Sequence, residues 1–421
     1  MNGMLYVYKS MLNKLQNDWR TPIIFALLVA MITAVFLSRA VLSVTMIVFI
    51  AFSFFHQGYK QQLIQFVRSP FLVGLSLLFL VPLLSGLWST DTVQWSRIMR
   101  IKLPLLFLPM AFAAPFHFST KHWQRLCMYL IVMVTLGTAW CMIQYAGDID
   151  LVNDAYLRAK TMLTPLENDH VRFSWLTAIA ILACAYLCWT RRNEKDLIFW
   201  ILAGLIIWLI IFLHVLAART GLFTFYLLLL GCGGSWLYNR GRLKYLFVLV
   251  ALFFVIPVAA YLLLPSFHNK IAYFRYEYPY LKDKNYLPGA NDAVRVISIR
   301  AGWQLMNQRP LSGVGFGDIH EEMNKIYTRE YPAITTRDKI LPSNEWLMYG
   351  SGCGWPGFLI LTAVLLLPFF LSASYRPGWY MLNATVALGM FVDISLEVQY
   401  GVFLYVFVIG LAWKWLVTEK K

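Results

Sequence analysis

The sequence predicts an all-α membrane protein of about 12 transmembrane helices, and three observations lead to this fold class. Of the 421 residues, 59% are hydrophobic and only 14% are charged, whereas a soluble domain is nearer half apolar and a quarter charged. The mean hydropathy is +0.61. The apolar residues form blocks of about 20, the length that a helix needs to cross a bilayer. These blocks are continuously apolar, whereas the strands of a membrane β-barrel alternate apolar and polar residues.

The apolar blocks divide the chain into three parts. We predict transmembrane helices one to nine within residues 1–264, a polar extracytoplasmic segment over 265–343, and transmembrane helices ten to twelve within 344–421. In chain order the predicted spans are 21–37, 40–55, 70–87, 103–117, 125–145, 173–190, 197–217, 220–238, 245–264, 346–372, 378–396 and 400–417. An even number of spans places both termini on the same side of the membrane.

The formal net charge of +15 is explained by membrane topology without a nucleic-acid partner, and we predict none. If both termini are cytoplasmic, the cytoplasmic loops carry more lysines and arginines than the short loops opposite. This is the positive-inside bias of membrane proteins. The bias places residues 265–343 on the extracytoplasmic side.

The segment 265–343 is too long for a simple connection. Its run Tyr273–Tyr280 alternates rings with charges, which is typical both of an interfacial aromatic belt and of a sugar-stacking surface. The next pattern predicts a helix from about Asp292 to Gln308, with Asn291 or Asp292 as the N-cap and Pro310 after its end. The string Gly313–Gly317 predicts a tight turn, because no strand-turn-helix context supports a dinucleotide site.

Ionisable residues are expected at the span ends. Within the predicted spans only His214 comes near an interior position, which argues against an ion-coupled transporter. Arg219 stands between two spans with almost no loop around it, and it either snorkels to the interface or binds a phosphate. Arg97, Arg100 and Lys102 fall in the predicted short loop between spans three and four, and their excess of positive charge favours an anionic ligand on that side.

Two further groups of polar residues stand near this face. Arg295 and Arg300 lie on the predicted helix, but five residues correspond to a net rotation of about 140°, so that at most one of them points into a given site. The segment Pro342–Leu347 leads into the tenth span, where Ser343 is the predicted N-cap. Glu345 alternatively orients an acceptor hydroxyl.

Four motifs together resemble the O-antigen ligase and polymerase superfamily, most closely O-antigen ligase. The long segment contains Arg295–Trp303 and then Arg309-Pro-Leu-Ser-Gly-Val-Gly-Phe-Gly317. It is followed by Ser343-Asn-Glu-Trp-Leu347, which is similar to the family's His-Asn-x-x-Leu, and by the glycine-rich helix start Gly350–Gly357. The resemblance is specific over 295–357, extends less specifically to 217–222, and elsewhere concerns only topology.

The resemblance implies a metal-independent glycosyltransferase without a cofactor, in the bacterial inner membrane with its active site on the periplasmic side. The implied partners are a glycan on undecaprenyl pyrophosphate as donor, a sugar hydroxyl of the lipid A core as acceptor, and membrane lipids. The family's arginines, which hold the pyrophosphate, correspond to Arg219 and Arg295, and cations at a leaving phosphate stabilise its developing charge. The Ser343–Glu345 segment then faces the acceptor. The residues expected to add contacts to substrate are Arg300, Asn344, His320, Arg97, Arg100 and Lys102.

One departure from the family pattern concerns the general base. The family has a histidine where this chain has Ser343, and a serine hydroxyl cannot replace an imidazole near neutral pH. Three explanations remain open: Glu345 or His320 acts as the base, the protein is a polymerase or another branch of the superfamily, or the serine is an engineered substitution. A polysaccharide polymerase, a protein-glycosylating relative and a transporter of lipid-linked oligosaccharides are the alternative functions.

Overall fold

The computed structural model describes residues 19–158, 160–282, 286, 288–289 and 291–418. Within these ranges the regular structure is entirely helical, which confirms the all-α prediction. In chain order the helices are α1 (Arg20–Leu37), α2 (Arg39–Ser53), α3 (Tyr59–Arg68), α4 (Pro70–Leu84), α5 (Thr92–Phe112), α6 (Thr120–Gly147), α7 (Ile149–Tyr156), α8 (His170–Thr190) and α9 (Leu197–Leu216). They continue with α10 (Arg219–Asn239), α11 (Leu246–Leu263), α12 (Pro265–Lys282), α13 (Asn291–Gln308), α14 (Ile319–Glu330), α15 (Glu345–Leu366), α16 (Arg376–Val392) and α17 (Gln399–Trp413).

Nine helices of the described chain are long and apolar enough to cross a membrane, namely α1, α4, α6, α8, α9, α10, α11, α15 and α17 with their short extensions. The chain is therefore a polytopic membrane protein. The other three predicted spans fall on helices outside this set. Of these, α2 has 15 residues and α16 has 17, and α5 carries Arg97, Arg100 and Lys102. The prediction that these three cations lie in a loop is wrong, because α5 already begins at Thr92.

The helices of the segment 265–343 lie at one end of the bundle, which we call the loop end. It is the end at which α8 and α10 begin and α16 ends. Asn269 of α12 donates to the Asn153 carbonyl oxygen of α7 at 3.0 Å, and Thr90, just before α5, donates to Asp318, just before α14. The opposite end is where α8 and α10 end.

The first turn of α13 is capped by a neighbouring helix. The carboxylate of Glu277, a buried residue of α12, accepts hydrogen bonds from the backbone N–H groups of Asp292 and Ala293, the second of them at 2.9 Å. The predicted helix over 292–308 is confirmed, but it already begins at Asn291. Asp292 therefore lies inside the helix and is not its N-cap, whereas the side chain of Asn291 is outside the described part of the chain and its role as the cap stays a prediction. A carboxylate distant in sequence binds the unpaired N–H groups.

The two glycine-rich strings pack against each other backbone to backbone. Val314 N donates to the Ser351 carbonyl oxygen at 2.8 Å, and Trp355 N donates to the Pro310 carbonyl oxygen at 2.7 Å. Between them α15 has a kink at Gly354, whose φ is 67°. A Cβ atom there would lie 2.4 Å from the Pro310 oxygen. The predicted turn at 313–317 is thus a turn that bonds to a membrane helix.

A buried carboxylate fixes the far side of the same turn. Asp318 accepts hydrogen bonds from Thr90 N at 2.8 Å, Thr90 Oγ1 at 2.9 Å and Asp91 N at 2.8 Å. Burial acts to raise the pKa of Asp318, but these hydrogen bonds hold it below its usual value. The carboxylate therefore stays ionised at neutral pH and joins the start of α14 to the start of α5.

Candidate functional site

One face of α13 carries the residues around which the site is built. Asp292, Arg295 and Ser298 are each three residues apart, and this spacing places them on one side of a helix. We call this side the α13 face. Arg219, the first residue of α10, donates from one terminal nitrogen to Asp292 Oδ1 at 2.8 Å, and its other terminal nitrogen lies 2.6 Å from Asp292 Oδ2 as an ion pair. Its guanidinium lies 5.2 Å from the ring centroid of Phe274 and stays half-exposed.

Ser343 joins the α13 face through Ser298. Its backbone N–H donates to Ser298 Oγ at 3.1 Å, and the two hydroxyl oxygens are also 3.1 Å apart. Ser343 is buried, and Ser298, to which it bonds, lies one helical turn from Arg295 on α13. Ser343 does not cap α15 as predicted: Asn344 is the N-cap, and its side-chain oxygen accepts from Leu347 N at 3.1 Å. The N-cap is Asn344 and not Ser343 because Asn344 is the extended residue directly before the first turn of α15.

The C-terminal end of α16 completes this arrangement. Arg295 donates from a terminal nitrogen to the Val392 carbonyl oxygen at 3.2 Å. Asn344 donates from its side-chain amide to the preceding carbonyl, that of Phe391, at 2.8 Å. Helix C-termini leave such carbonyl groups without partners in their own helix. The structure thus brings together Arg219, Arg295, Ser343 and Asn344 of the residues predicted from the sequence.

A lysine that the sequence did not single out also belongs to this cluster. Lys270 of α12 is partly buried, and its charge interacts with those of Arg219, Arg295 and Asp292. Burial, and next the repulsion by Arg219, lower the pKa of Lys270 to about 8. Three cations therefore surround the α13 face. A single lysine in a polar helix gives no sequence signal, since only tertiary contact places it beside the two arginines.

A histidine on a membrane helix faces the same cluster. His170, the first residue of α8, is partly buried and interacts electrostatically with Asp169, Arg295 and Asp393. Arg172, one turn further along α8, pairs with Asp393 at 2.7 Å and so holds the start of α8 against the end of α16. Sequence reasoning missed His170 because it follows a loop outside the recognised motifs.

Two of the predicted site residues lie beneath the surface in a buried charge cluster formed by Lys102, Glu345 and Glu397. The Lys102 amine is fully buried, 2.6 Å from Glu397 Oε1 and 3.0 Å from the Leu396 carbonyl oxygen. Glu345 is also fully buried, and its Oε2 accepts from Leu396 N at 2.9 Å. Lys102 lies just before the predicted fourth span, and its counter-ion Glu397 comes from a distant part of the chain. Lys102 and Glu345 are therefore both enclosed by the protein.

The remaining predicted residues are exposed. Arg300 lies away from the α13 face, and Arg97 and Arg100 project from α5. His320 on α14 has its Nδ1 atom 3.1 Å from the side-chain nitrogen of Asn324. No described contact joins these four predicted residues to the cluster, so their role in substrate binding stays a prediction.

The part of the chain that contains the α13 face matches a known protein family. Among the residues that the structure describes, no group of three His, Cys, Asp or Glu side chains is arranged to hold a metal ion. Residues 204–362 match the family model described as O-antigen ligase. This region belongs to the O-antigen ligase family. The O-antigen ligase domain contains α10 to α14, the kinked start of α15 and, with them, Arg219, Lys270, Arg295 and Ser343. No curated protein matches the chain.

Membership of the domain in this family implies an enzyme of the glycosyltransferase type, of the ligase or polymerase kind, that acts on lipid-linked substrates in a membrane. The cations around the α13 face all come from the O-antigen ligase domain. His170 and Asp393 lie outside the matched residues. The site is therefore assembled by the domain together with helices that precede and follow it.

Proposed function

We propose that this protein is a glycan ligase that transfers a polysaccharide from undecaprenyl pyrophosphate to a sugar hydroxyl of the lipid A core, in lipopolysaccharide assembly. The observation that carries the proposal is the cluster of Arg219, Arg295 and Lys270 at the loop end of a membrane helix bundle, inside an O-antigen ligase domain. A guanidinium binds a phosphate through two parallel hydrogen bonds. The positive-inside bias supports our proposal that this end lies on the periplasmic side of the bacterial inner membrane.

In the proposed mechanism the cations act on the leaving group. The acceptor oxygen attacks the anomeric carbon, the bond from that carbon to the pyrophosphate oxygen breaks, and negative charge develops on the pyrophosphate. Preorganised cations stabilise that charge most where water is excluded. In the absence of donor, Asp292 presents two carboxylate oxygens to the guanidinium of Arg219. Two phosphate oxygens would take the place of this carboxylate, and the mechanism uses no metal ion.

The acceptor hydroxyl must lose a proton, and we propose that His170 takes it. Ser343 is not basic enough near neutral pH, and Glu345 is fully buried. His170 is only partly buried, and it interacts electrostatically with Arg295 and with the carboxylate of Asp393; an imidazole can take up a proton near neutral pH. Ser343 and Asn344 then position the α13 face against α16.

Transfer assays test the cation cluster. Purified protein in lipid nanodiscs with the lipid-linked glycan and lipid A core should form the ligated product, seen as a shift to higher mass on a gel. Arg219→Ala and Arg295→Ala should abolish the product, because each removes a positive charge from the leaving phosphate. Arg329→Ala, which removes an exposed arginine from α14, is the control and should retain activity. Full activity in both alanine variants of the cluster would contradict the site.

A separate experiment tests the base. His170→Ala should lose transfer while retaining the binding of the lipid-linked donor, since the imidazole acts on the acceptor. Adding Ser343→His to His170→Ala should restore part of the rate, because residue 343 contacts Ser298, which lies one helical turn from Arg295 on α13. If His170→Ala alone transfers at the original rate, another group is the base.

One alternative is favoured by the serine at position 343. A polysaccharide polymerase of the same family would use the lipid-linked glycan as both donor and acceptor. The products separate the two functions: a ligase yields glycan on the lipid A core, whereas a polymerase yields a longer chain that is still attached to its carrier lipid. Movement of the lipid-linked glycan across proteoliposomes without any covalent product would instead indicate a transporter.

A further inference from the structure

A long apolar cavity of about 610 Å³ lies inside the bundle, between α8 and α17. Along α8 its lining extends from Leu176 to Trp189, and along α17 and the helical turn that follows it (Lys414–Thr418) from Phe403 to Leu416. Thirteen residues of helix rise by about 20 Å, so the cavity is elongated parallel to the helix axes. Its volume is in the range of ligand-binding sites. Its shape and almost wholly apolar lining fit an extended hydrocarbon chain.

The cavity opens at the end of the bundle opposite the proposed active site. Among its lining residues near that end, Trp236 is 37% and Tyr375 is 43% exposed. Toward the loop end the residues that line the cavity are buried: Ile32, Val35 and Leu176 are 4%, 2% and 2% exposed. A chain that enters from the open end therefore stops below the α13 face.

The open end carries positive charge without matching negative charge. The guanidinium of Arg192 lies 3.9 Å, and that of Arg240 5.2 Å, from the ring centroid of Trp189, which lines the cavity. Neither arginine has a carboxylate partner among the described residues, whereas the neighbouring Arg191 pairs with Asp196. Two guanidinium groups over an aromatic ring at an apolar opening match a phosphate that is attached to a hydrocarbon chain.

We propose that this cavity binds an acyl chain of an acidic glycerophospholipid, whose phosphate lies between Arg192 and Arg240. The charge at the opening selects an acidic headgroup over a zwitterionic one. The lipid-linked donor has its phosphates at the other end of the bundle, beside Arg219 and Arg295, and it does not share this opening. The bound lipid fills the space between α8 and α17 and takes no part in glycan transfer, so this site is independent of the proposed enzymatic activity.

Native mass spectrometry of the full-length protein tests the headgroup. Protein stripped of lipid in detergent receives phosphatidylglycerol, phosphatidylcholine or undecaprenyl phosphate, and the number of molecules retained is counted. We expect one phosphatidylglycerol molecule to be retained in preference to phosphatidylcholine. Arg192→Gln and Arg240→Gln should each weaken this retention about fivefold, the size expected for one cation beside an acidic lipid. The double variant Lys60→Gln, Arg68→Gln removes two exposed cations elsewhere and should change nothing.

A second variant tests the cavity. Ala185 lines it and is exposed, so Ala185→Phe should reduce retention of every lipid, whereas Ile201→Phe, at an exposed position outside the cavity, should not. If Ala185→Phe is not monodisperse on size exclusion, the arginine variants decide alone. Equal retention of the two phospholipids, or unchanged retention in both arginine variants, would overturn the proposal. Displacement of phosphatidylglycerol by a lower concentration of undecaprenyl phosphate would also overturn it, and would assign the cavity to the carrier lipid.

Discussion

Replacement of Lys102 by methionine should strongly destabilise the helix bundle. The Lys102 amine has no contact with solvent and lies 2.6 Å from the Glu397 carboxylate. It also donates to the Leu396 carbonyl oxygen and lies 5.3 and 4.9 Å from the ring centroids of Phe316 and Tyr349. The substitution removes the positive charge and keeps an unbranched side chain in the same space. The effect therefore comes from charge far more than from lost packing.

The expected magnitude follows from what remains buried. Without Lys102, the carboxylates of Glu397 and Glu345 stay in the interior with no cation between them. Removal of one partner of a buried ion pair costs about 3–5 kcal/mol, whereas an exposed substitution such as Arg100→Met on the same helix should change stability by about 0.5 kcal/mol or less. The double variant Lys102→Met, Glu397→Gln should recover most of the loss, because it leaves fewer uncompensated charges.

Thermal unfolding of the purified protein in one detergent, followed by tryptophan fluorescence, measures these differences as shifts of the apparent Tm. Lys102→Met should unfold well below the unsubstituted protein, Arg100→Met close to it, and the double variant in between. A Lys102→Met protein with an unchanged Tm that no longer binds the lipid-linked donor would refute the reasoning. It would show that Lys102 contacts the substrate.

Three further substitutions probe the site and the fold. Asp292→Asn should raise donor affinity in a titration by up to about fivefold, because it frees Arg219 from a half-exposed ion pair worth at most about 1 kcal/mol; weaker binding would mean that the carboxylate only positions the arginine. Lys270, with its pKa lowered to about 8, loses its positive charge as the pH rises, so donor affinity should fall between about pH 7 and about pH 9. Lys270→Arg stays charged over this range and should abolish the fall. Gly354→Ala should cost at least about 1–3 kcal/mol in an unfolding assay, since its φ is 67° and a Cβ meets the backbone; Gly204→Ala, which meets nothing within 4 Å, is the control and should be neutral or slightly stabilising.

The fold class was predictable because it depends on quantities that a single sequence contains. Span-length apolar blocks require helices in a bilayer, since every backbone polar group must be bonded within its own segment. The helix over 292–308 was also predictable, because local capping and proline signals surround it. Its actual cap was not, since the carboxylate that binds its first N–H groups belongs to Glu277 on another helix.

Only the site residues that belong to the recognised sequence motifs could be predicted. Arg219, Arg295 and Ser343, which the resemblance singled out, all lie at the α13 face, whereas Lys270 and His170 join them only through tertiary packing. The prediction for Lys102 failed because it, too, depended only on local sequence. Its local charge density favoured a loop, and its counter-ion is 295 positions later in the chain, beyond the reach of any local pattern.

The backbone bonding between the two glycine-rich strings has a consequence for how this architecture tolerates changes of chain length. Residues 310–318 are bonded to α15 on one side and to the start of α5 on the other, so an insertion there would shift α13 and with it Arg295. Residues 331–339, in contrast, are mostly exposed, and we expect insertions there to leave Arg219, Arg295 and Lys270 in place. Related enzymes would then diverge in the second segment, where they can adapt to different sugars, while the first keeps a constant length.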